Sequence, residues 1–243
     1  GKEGRPVNIQ WYPGHMTKTR RMIGENLKFV DVVAEIIDAR IPISSRNPDI
    51  DELVGEKPRL IVLNRADQAD PAMNKAWSDW FRKKGWSVLE TNARDGKGVG
   101  QFSAAIKTAL KEKLEQWKAK GLVGRPVRAM VQTTGIHLAF TGAVKDEIMD
   151  LETLACHLIE ILAKRYPQAL LERFKVEVDP EQPGWELLEQ CGRKRGFLIS
   201  GGEVDTERMA RILLDEYRSG KLGRITFESP QDAESVEAGH GGD

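Results

Sequence analysis

The feature that most constrains this chain is an alternation, through its first half, of short β-branched runs with helical periodicities. Val30 to Ile37 and Arg59 to Leu63 are short, largely apolar runs rich in Val and Ile, each bounded by helical or turn signals. A run that is apolar at most successive positions, instead of strictly alternating, suits a strand covered on both faces and therefore a parallel sheet. Ser87 to Thr91 and Arg128 to Val131 are weaker runs of the same kind. Between them, Trp77, Trp80 and Phe81 share one helical face, and Phe102, Ile106, Ala109, Leu110, Leu114 and Trp117 recur at three-to-four spacing. That spacing makes one apolar stripe per helix. The succession predicts an α/β sheet wrapped by helices.

Beyond about residue 135 the strand signals fade. Segments near 146 to 165 and 206 to 219 have helical periodicity, Pro167, Pro180 and Pro183 punctuate the region, and Gly201-Gly202 reads as a turn before the candidate caps Asp205 and Thr206. A small all-helical domain is expected there. The expected division is 1–140, 141–228 and an acidic tail, 229–243, whose Ser, Gly and Glu content reads as disordered. Formal net charge is zero, but it is unevenly spread: Lys18 to Lys28, Lys107 to Arg128 and Arg193-Lys194-Arg195 are basic. Local faces can thus meet phosphate while the total stays neutral. No run approaches the roughly 18 apolar residues of a membrane span, and the N-terminus lacks the apolar core of a signal peptide. A cytoplasmic location is expected, or an organelle matrix if a targeting segment has been removed. Two distant cysteines, Cys156 and Cys191, argue against a zinc site and a disulfide framework. Cys156 reads as core.

Asn64-Arg65-Ala66-Asp67 directly follows the run Leu60 to Leu63. Open parallel sheets bind ligands at the C-terminal ends of their strands. A carboxylate at that place can accept both the N1 and N2 hydrogens of guanine, a pair adenine does not offer. The Asn amide can tie the loop together, and the stem of Arg65 can cover the ring face. Taken alone, N-x-x-D is common, and its plain reading is an Asx turn. A second loop, Thr91-Asn92-Ala93-Arg94 followed by Asp95-Gly96-Lys97-Gly98, lies one helix and one strand later. It resembles the GTPase loop that offers a backbone amide to guanine O6.

Three further stretches carry a family resemblance: Trp11-Tyr12-Pro13-Gly14-His15-Met16, Asp38-Ala39-Arg40-Ile41-Pro42 with Ser44-Ser45-Arg46-Asn47-Pro48, and Lys194-Arg195-Gly196 to Gly201-Gly202. Together with the two loops they resemble ribosome biogenesis GTPase A, a circularly permuted GTPase, over nearly the whole chain to Glu228. The resemblance implies a permuted P-loop GTPase sheet whose base-reading loops, Asn64, Arg65 and Asp67 with Thr91, Asn92 and Ala93, precede the phosphate loop. It also implies a helical RNA-binding domain, GTP or GDP with Mg2+ as cofactors and K+ as a further candidate, and action in late maturation of the large (50S) ribosomal subunit. The partners would be the subunit precursor and its ribosomal RNA, met by a monomer. Such permuted GTPases lack the usual water-positioning glutamine; His15 is the candidate to replace it, its imidazole orienting the attacking water. Arg193, Lys194 and Arg195, beside Gly196 and the Gly201-Gly202 turn, are the candidate RNA contacts, with Phe197, Leu198 and Ile199 read as core.

Two departures stand out. Arg65 replaces the usual Lys; its guanidinium plane can also stack on a base, although the two residues are not interchangeable. More important, Gln132-Thr133-Thr134-Gly135 follows Val131 where the family has a G-x-P-N-V-G-K-S loop, a switch threonine and D-T-P-G, and the resemblance resumes at Ile136. No G-x-x-x-x-G-K-[ST] occurs anywhere, so nothing in the chain is built to cradle β- and γ-phosphates. The abrupt resumption points to a missing internal segment, which a hydrolysing form is expected to carry. The alternative is an RNA-binding assembly scaffold that hydrolyses nothing. A dinucleotide-dependent metabolic enzyme is disfavoured, because no G-x-G-x-x-G follows the first strand.

Overall fold

A computed structural model describes residues 7–14, 23–43, 45–46, 49–92, 99–122, 124–134 and 151–240. Five strands, β1 (Val7–Gly14), β2 (Val32–Asp38), β3 (Arg59–Asn64), β4 (Ser87–Glu90) and β5 (Val127–Thr134), form one sheet in the order β1-β5-β2-β3-β4. Every pairing is parallel. The last of the described strands therefore lies inside the sheet, between the first and the second, and all five C-terminal ends share one edge.

Burial on both faces follows the period of two along each strand. Val32, Ala34, Leu60, Val62, Leu89, Val127, Ala129 and Val131 pack with Ile106 of α3 (Phe102–Ala109), Trp117 of α4 (Lys111–Ala119) and Leu110 at the junction of the two helices. The intervening residues serve the opposite face. Ile37, Ile61 and Leu63 meet Trp77, Trp80 and Phe81 of α2 (Pro71–Lys83). Val33 and Met130 meet Ile23, Leu27 and Val30, together with Ile50 and Val54 of the short α1 (Ile50–Val54). Helix α2 starts on a built cap: the Asp70 carboxylate accepts from the Ala72 N–H at 2.9 Å, and Pro71 takes the first helical position, where its missing N–H costs nothing. The stripe expected from Phe102 to Trp117 is split between two helices at Leu110 yet keeps one buried face.

The chain divides into two compact units, residues 1–136 with 228–243, and residues 137–227. The composition of 229–243 suggests disorder, whereas Pro230–His240 forms a helix, α9, that belongs to the first unit. Ala233 packs into the Trp77 cluster, and Trp77 Nε1–H donates to the Glu228 carbonyl at 2.9 Å. The helix has a start signal of its own. The Ser229 N–H donates to Asp232 Oδ2 at 2.9 Å, and the Asp232 N–H donates to Ser229 Oγ at 3.4 Å. This reciprocal box, with Pro230 at the first turn, satisfies amide donors that low hydrophobicity leaves unaddressed.

In the second unit the described elements are helices: α5 (Leu151–Arg165), α6 (Pro167–Phe174), α7 (Gly184–Lys194) and α8 (Thr206–Arg218). A Cβ at Gly184 would stand 2.4 Å from the Cys156 carbonyl oxygen, so glycine is what lets α7 begin this close to α5. Asp205 caps α8, accepting from the Arg208 N–H at 3.0 Å. Cys156 is only partly buried, and Cys191 is fully buried. Burial pushes the Cys191 thiol up to about 12, which keeps it protonated and inert.

Candidate functional site

Asn64 is the last residue of β3, so the tetrapeptide 64–67 opens at the shared C-terminal edge. The backbone turns sharply there. Arg65 takes the left-handed conformation, φ 57° and ψ 34°, and Ala66–Gln68 form a single 3-10 turn. That turn is held from three sides. From β4's continuation, the Thr91 carbonyl accepts from the Ala66 N–H at 3.1 Å, the Thr91 N–H donates to the Leu63 carbonyl at 2.9 Å, and the Thr91 hydroxyl donates to Asn64 Oδ1 at 3.2 Å. From α2, buried Asn74 donates its Nδ2–H to the Ala66 carbonyl at 2.8 Å. From the end of β2, the Ala39 N–H donates to the Asn64 carbonyl at 2.9 Å, and Arg40 Nη1–H donates to Gln68 Oε1 at 3.2 Å.

Asp67 lies at the centre of this pinned turn and is exposed, while Arg65 is partly exposed beside it. A rigid backbone with one open carboxylate is what bidentate recognition of a purine edge requires, since the acceptor geometry is set before the ligand arrives. Thr91 and Asn92 are both buried, and the Asn64 to Thr91 bond joins the two loops expected to read the base. Among the expected residues, Asn64, Arg65, Asp67, Thr91 and Asn92 are thus brought to one edge. His15 and Ala93 lie outside the described residues. Arg40, Gln68 and Asn74 were not foreseen as supports; the one signal for Arg40 is its place in Asp38-Ala39-Arg40, just past a strand end.

The basic cluster of the helical unit is not uniform. Arg193 and Lys194, in the last turn of α7, are exposed. Arg195 is committed to packing: it donates to Glu216 Oε1 at 3.2 Å and lies 4.7 Å from the Phe174 ring centroid. Arg173 donates to both Glu216 oxygens, at 2.9 and 3.0 Å. Burial pushes the Glu216 carboxyl up, but the hydrogen bonds and charges of Arg173 and Arg195 outweigh it and hold the group below the usual glutamate range. Arg193 and Lys194 border an open groove of about 720 Å³, which Lys175, Gln182, Glu186 and Glu189 also line.

The hairpin after α7 differs from its expected core role. Leu198 is 51% and Ile199 49% exposed. They belong to a short hairpin bridged between Leu198 and Val204 and turned at Gly201 with φ 90°. Phe197 is half-buried beneath the Arg208 guanidinium, 4.0 Å from its ring centroid. Among the described residues no helix is long and apolar enough to cross a membrane, and no group of three His, Cys, Asp or Glu side chains is placed to hold a metal ion.

The chain is similar to Ribosome biogenesis GTPase A of Bacillus cereus, 36% identical over 287 residues that span 94% of this chain and 97% of the relative. It is similar also to the protein of that name from Bacillus licheniformis, 34% identical, with 92% of this chain and 99% of the relative covered. The Bacillus cereus alignment is longer than the 243 residues of this chain, so the relative carries residues with no counterpart here. Among solved structures it resembles GNP-bound YlqF from T. maritima, with a TM-score of 0.53 and 24% identity over 88% of this chain and 99% of that one; that likeness bears on the fold. No protein-family model matches.

Proposed function

This chain belongs to the ribosome biogenesis GTPase A family, and from that premise we propose that it is a guanine-nucleotide-binding assembly factor acting late on the large (50S) ribosomal subunit precursor in the cytoplasm. Its enzyme class is that of its relatives, GTP hydrolase. The observation that carries the reading is the pinned Asn64 to Gln68 turn, tied to Thr91 with Asp67 exposed at its centre. In this reading Asp67 accepts from guanine N1 and N2, Arg65 covers the ring, and the Thr91, Asn92 and Ala93 loop addresses O6. Phosphate binding and hydrolysis belong to the loop whose family position is after Val131. Mg2+ and K+ belong to it as well, because the Ser/Thr that would hold Mg2+ is part of the same motif. The missing motif also favours a second reading, in which this form is an RNA-binding scaffold that hydrolyses nothing.

The helical unit, acting as a monomer, is the proposed contact to ribosomal RNA through Arg193 and Lys194. Because Arg195 neutralises buried Glu216, a test of RNA contact has to leave it in place. Arg193→Glu with Lys194→Glu is expected to weaken co-sedimentation with large-subunit precursors and to flatten the dependence of log affinity on log salt by about 1.4–1.8, roughly 0.7–0.9 per lost phosphate contact. Equal pelleting of both proteins across the salt series would reduce the cluster to a solvated face.

His15 is the proposed water-positioning group. In the chain with the relatives' phosphate loop inserted after Val131, His15→Ala is expected to lower particle-stimulated single-turnover hydrolysis by about 10²-fold, the scale of general acid–base assistance, with GTP affinity little changed. Equal stimulated rates at saturating particle would assign His15 to docking or packing.

A further inference from the structure

We infer that Arg40 is a positioning residue for base recognition: its buried guanidinium, clamped on Asp38 at the end of β2, holds Gln68 and so sets where the neighbouring Asp67 carboxylate points. The inference rests on the guanine reading of the 64–68 turn. Arg40 Nε–H donates to Asp38 Oδ1 at 2.9 Å and Nη2–H to Oδ2 at 2.7 Å, a two-pronged pair, while the Arg40 backbone N–H reaches the same Oδ1 at 2.9 Å. Asp38 is fixed in turn by its own N–H, which donates to Ser45 Oγ at 2.9 Å. The remaining arm of the fork, Nη1, crosses to Gln68 Oε1 at 3.2 Å.

Three considerations give this contact a role in recognition. The Arg40 side chain is 1% exposed, and burying a charge with its partner contributes little stability compared with a well-packed apolar side chain. Packing alone would not call for a guanidinium at this place. Only arginine presents donors in a planar fork able to grip both carboxylate oxygens and still extend an arm sideways; a lysine is a single point. Finally, the turn is three residues long. Gln68 adjoins Asp67 within it, so a swing of Gln68 rotates the Asp67 carboxylate, whereas Asn64 and Ala66 are held separately through Ala39, Asn74 and Thr91.

Hypoxanthine keeps the N1–H of guanine and lacks the N2 amino group. The ratio of GMP to IMP affinity therefore reports whether Asp67 reaches both hydrogens, and a general loosening of the loop lowers both affinities without changing the ratio. The experiment is an amide NMR titration of the full chain with GMP and with IMP, on the unsubstituted protein, Gln68→Met, Gln68→Glu and Arg40→Lys. Gln68→Met and Arg40→Lys are expected to cut the ratio by about tenfold, the worth of one hydrogen bond to a charged group. Gln68→Glu, which keeps an acceptor for Nη1, restores it. Thermal unfolding of Gln68→Met at an unchanged Tm shows that the fold is intact. An unaltered ratio in Gln68→Met, or parallel losses for both nucleotides in Arg40→Lys, overturns the positioning role while leaving the guanine reading standing. Equal GMP and IMP affinity in the unsubstituted chain overturns the guanine reading, and the inference with it.

Discussion

Replacing Asp67 by Asn is expected to convert a preference for guanine into one for xanthine. The carboxylate of Asp67 is exposed at the centre of a turn held by Thr91, Asn74 and Arg40, so the substitution changes the chemistry of the acceptor and leaves its support in place. An amide turns one of the two acceptors into a donor. Facing guanine, that donor meets the N2 amino group and both are left unsatisfied; facing xanthine, it meets the carbonyl at C2 and the pair is restored. Sites built around a polar pair discriminate by about 10⁴-fold or more when one member is wrong. Competition between GDP and XDP, in the chain carrying the relatives' phosphate loop after Val131, measures the exchange. Unchanged guanine selectivity would remove Asp67 from the base site.

Insertion of that phosphate loop is itself expected to raise GDP affinity by at least about 10³-fold over the chain as it stands. Three charge-assisted hydrogen bonds to phosphate oxygens, at about 1.5 kcal/mol each, already reach that figure. The sheet is arranged to receive it. Strand β5 lies two strands from β3, with β2 between them, which places the loop about 10 Å from the base turn at a strand spacing near 4.8 Å. That is the span of a nucleoside diphosphate lying across the C-terminal edge. Near this end of β5, Gln132 is buried, and neither of its amide atoms has a hydrogen-bond partner among the described residues. Such a group costs about 1–3 kcal/mol per unmet atom, a weak point near the end of an interior strand and a reason to expect tolerance of insertion after Val131. If the inserted form binds GDP no better than the chain without it, the C-terminal edge is not a nucleotide site and the scaffold reading gains.

Strands covered on both faces were legible because parallel burial leaves largely apolar runs, as in Leu60 to Leu63 and in Val32 to Ile37, which only Glu35, buried against Arg46, interrupts. The sequence of β1 carries only a weak strand signal. Its Val7-Asn8-Ile9-Gln10 alternation is short, and Pro13 argues against an interior strand; at the sheet edge, paired only with β5, a proline is tolerated. The base turn was legible down to Asn64, Asp67 and Thr91, since each lies at or just past the end of a strand. Its supports were not. Arg40 acquires its role from Gln68, 28 residues away, and Arg195 loses its expected freedom to Glu216, 21 residues away; local pattern carries neither pairing. The helix in the acidic tail had a local signal in Ser229-Pro230-Gln231-Asp232, outweighed by the low hydrophobicity of the segment that follows.

Guanine recognition by the 64–68 turn can be tested on the chain as it stands, without phosphate contacts. Amide NMR of the full chain, titrated with GMP and separately with AMP at millimolar concentration, reads the turn residue by residue. The expected result is saturable shifts at Asn64 to Gln68 and at Thr91 and Asn92 with GMP, and none there with AMP. Equal responses to the two nucleotides, or GMP shifts confined to the basic residues of the helical unit, would contradict it.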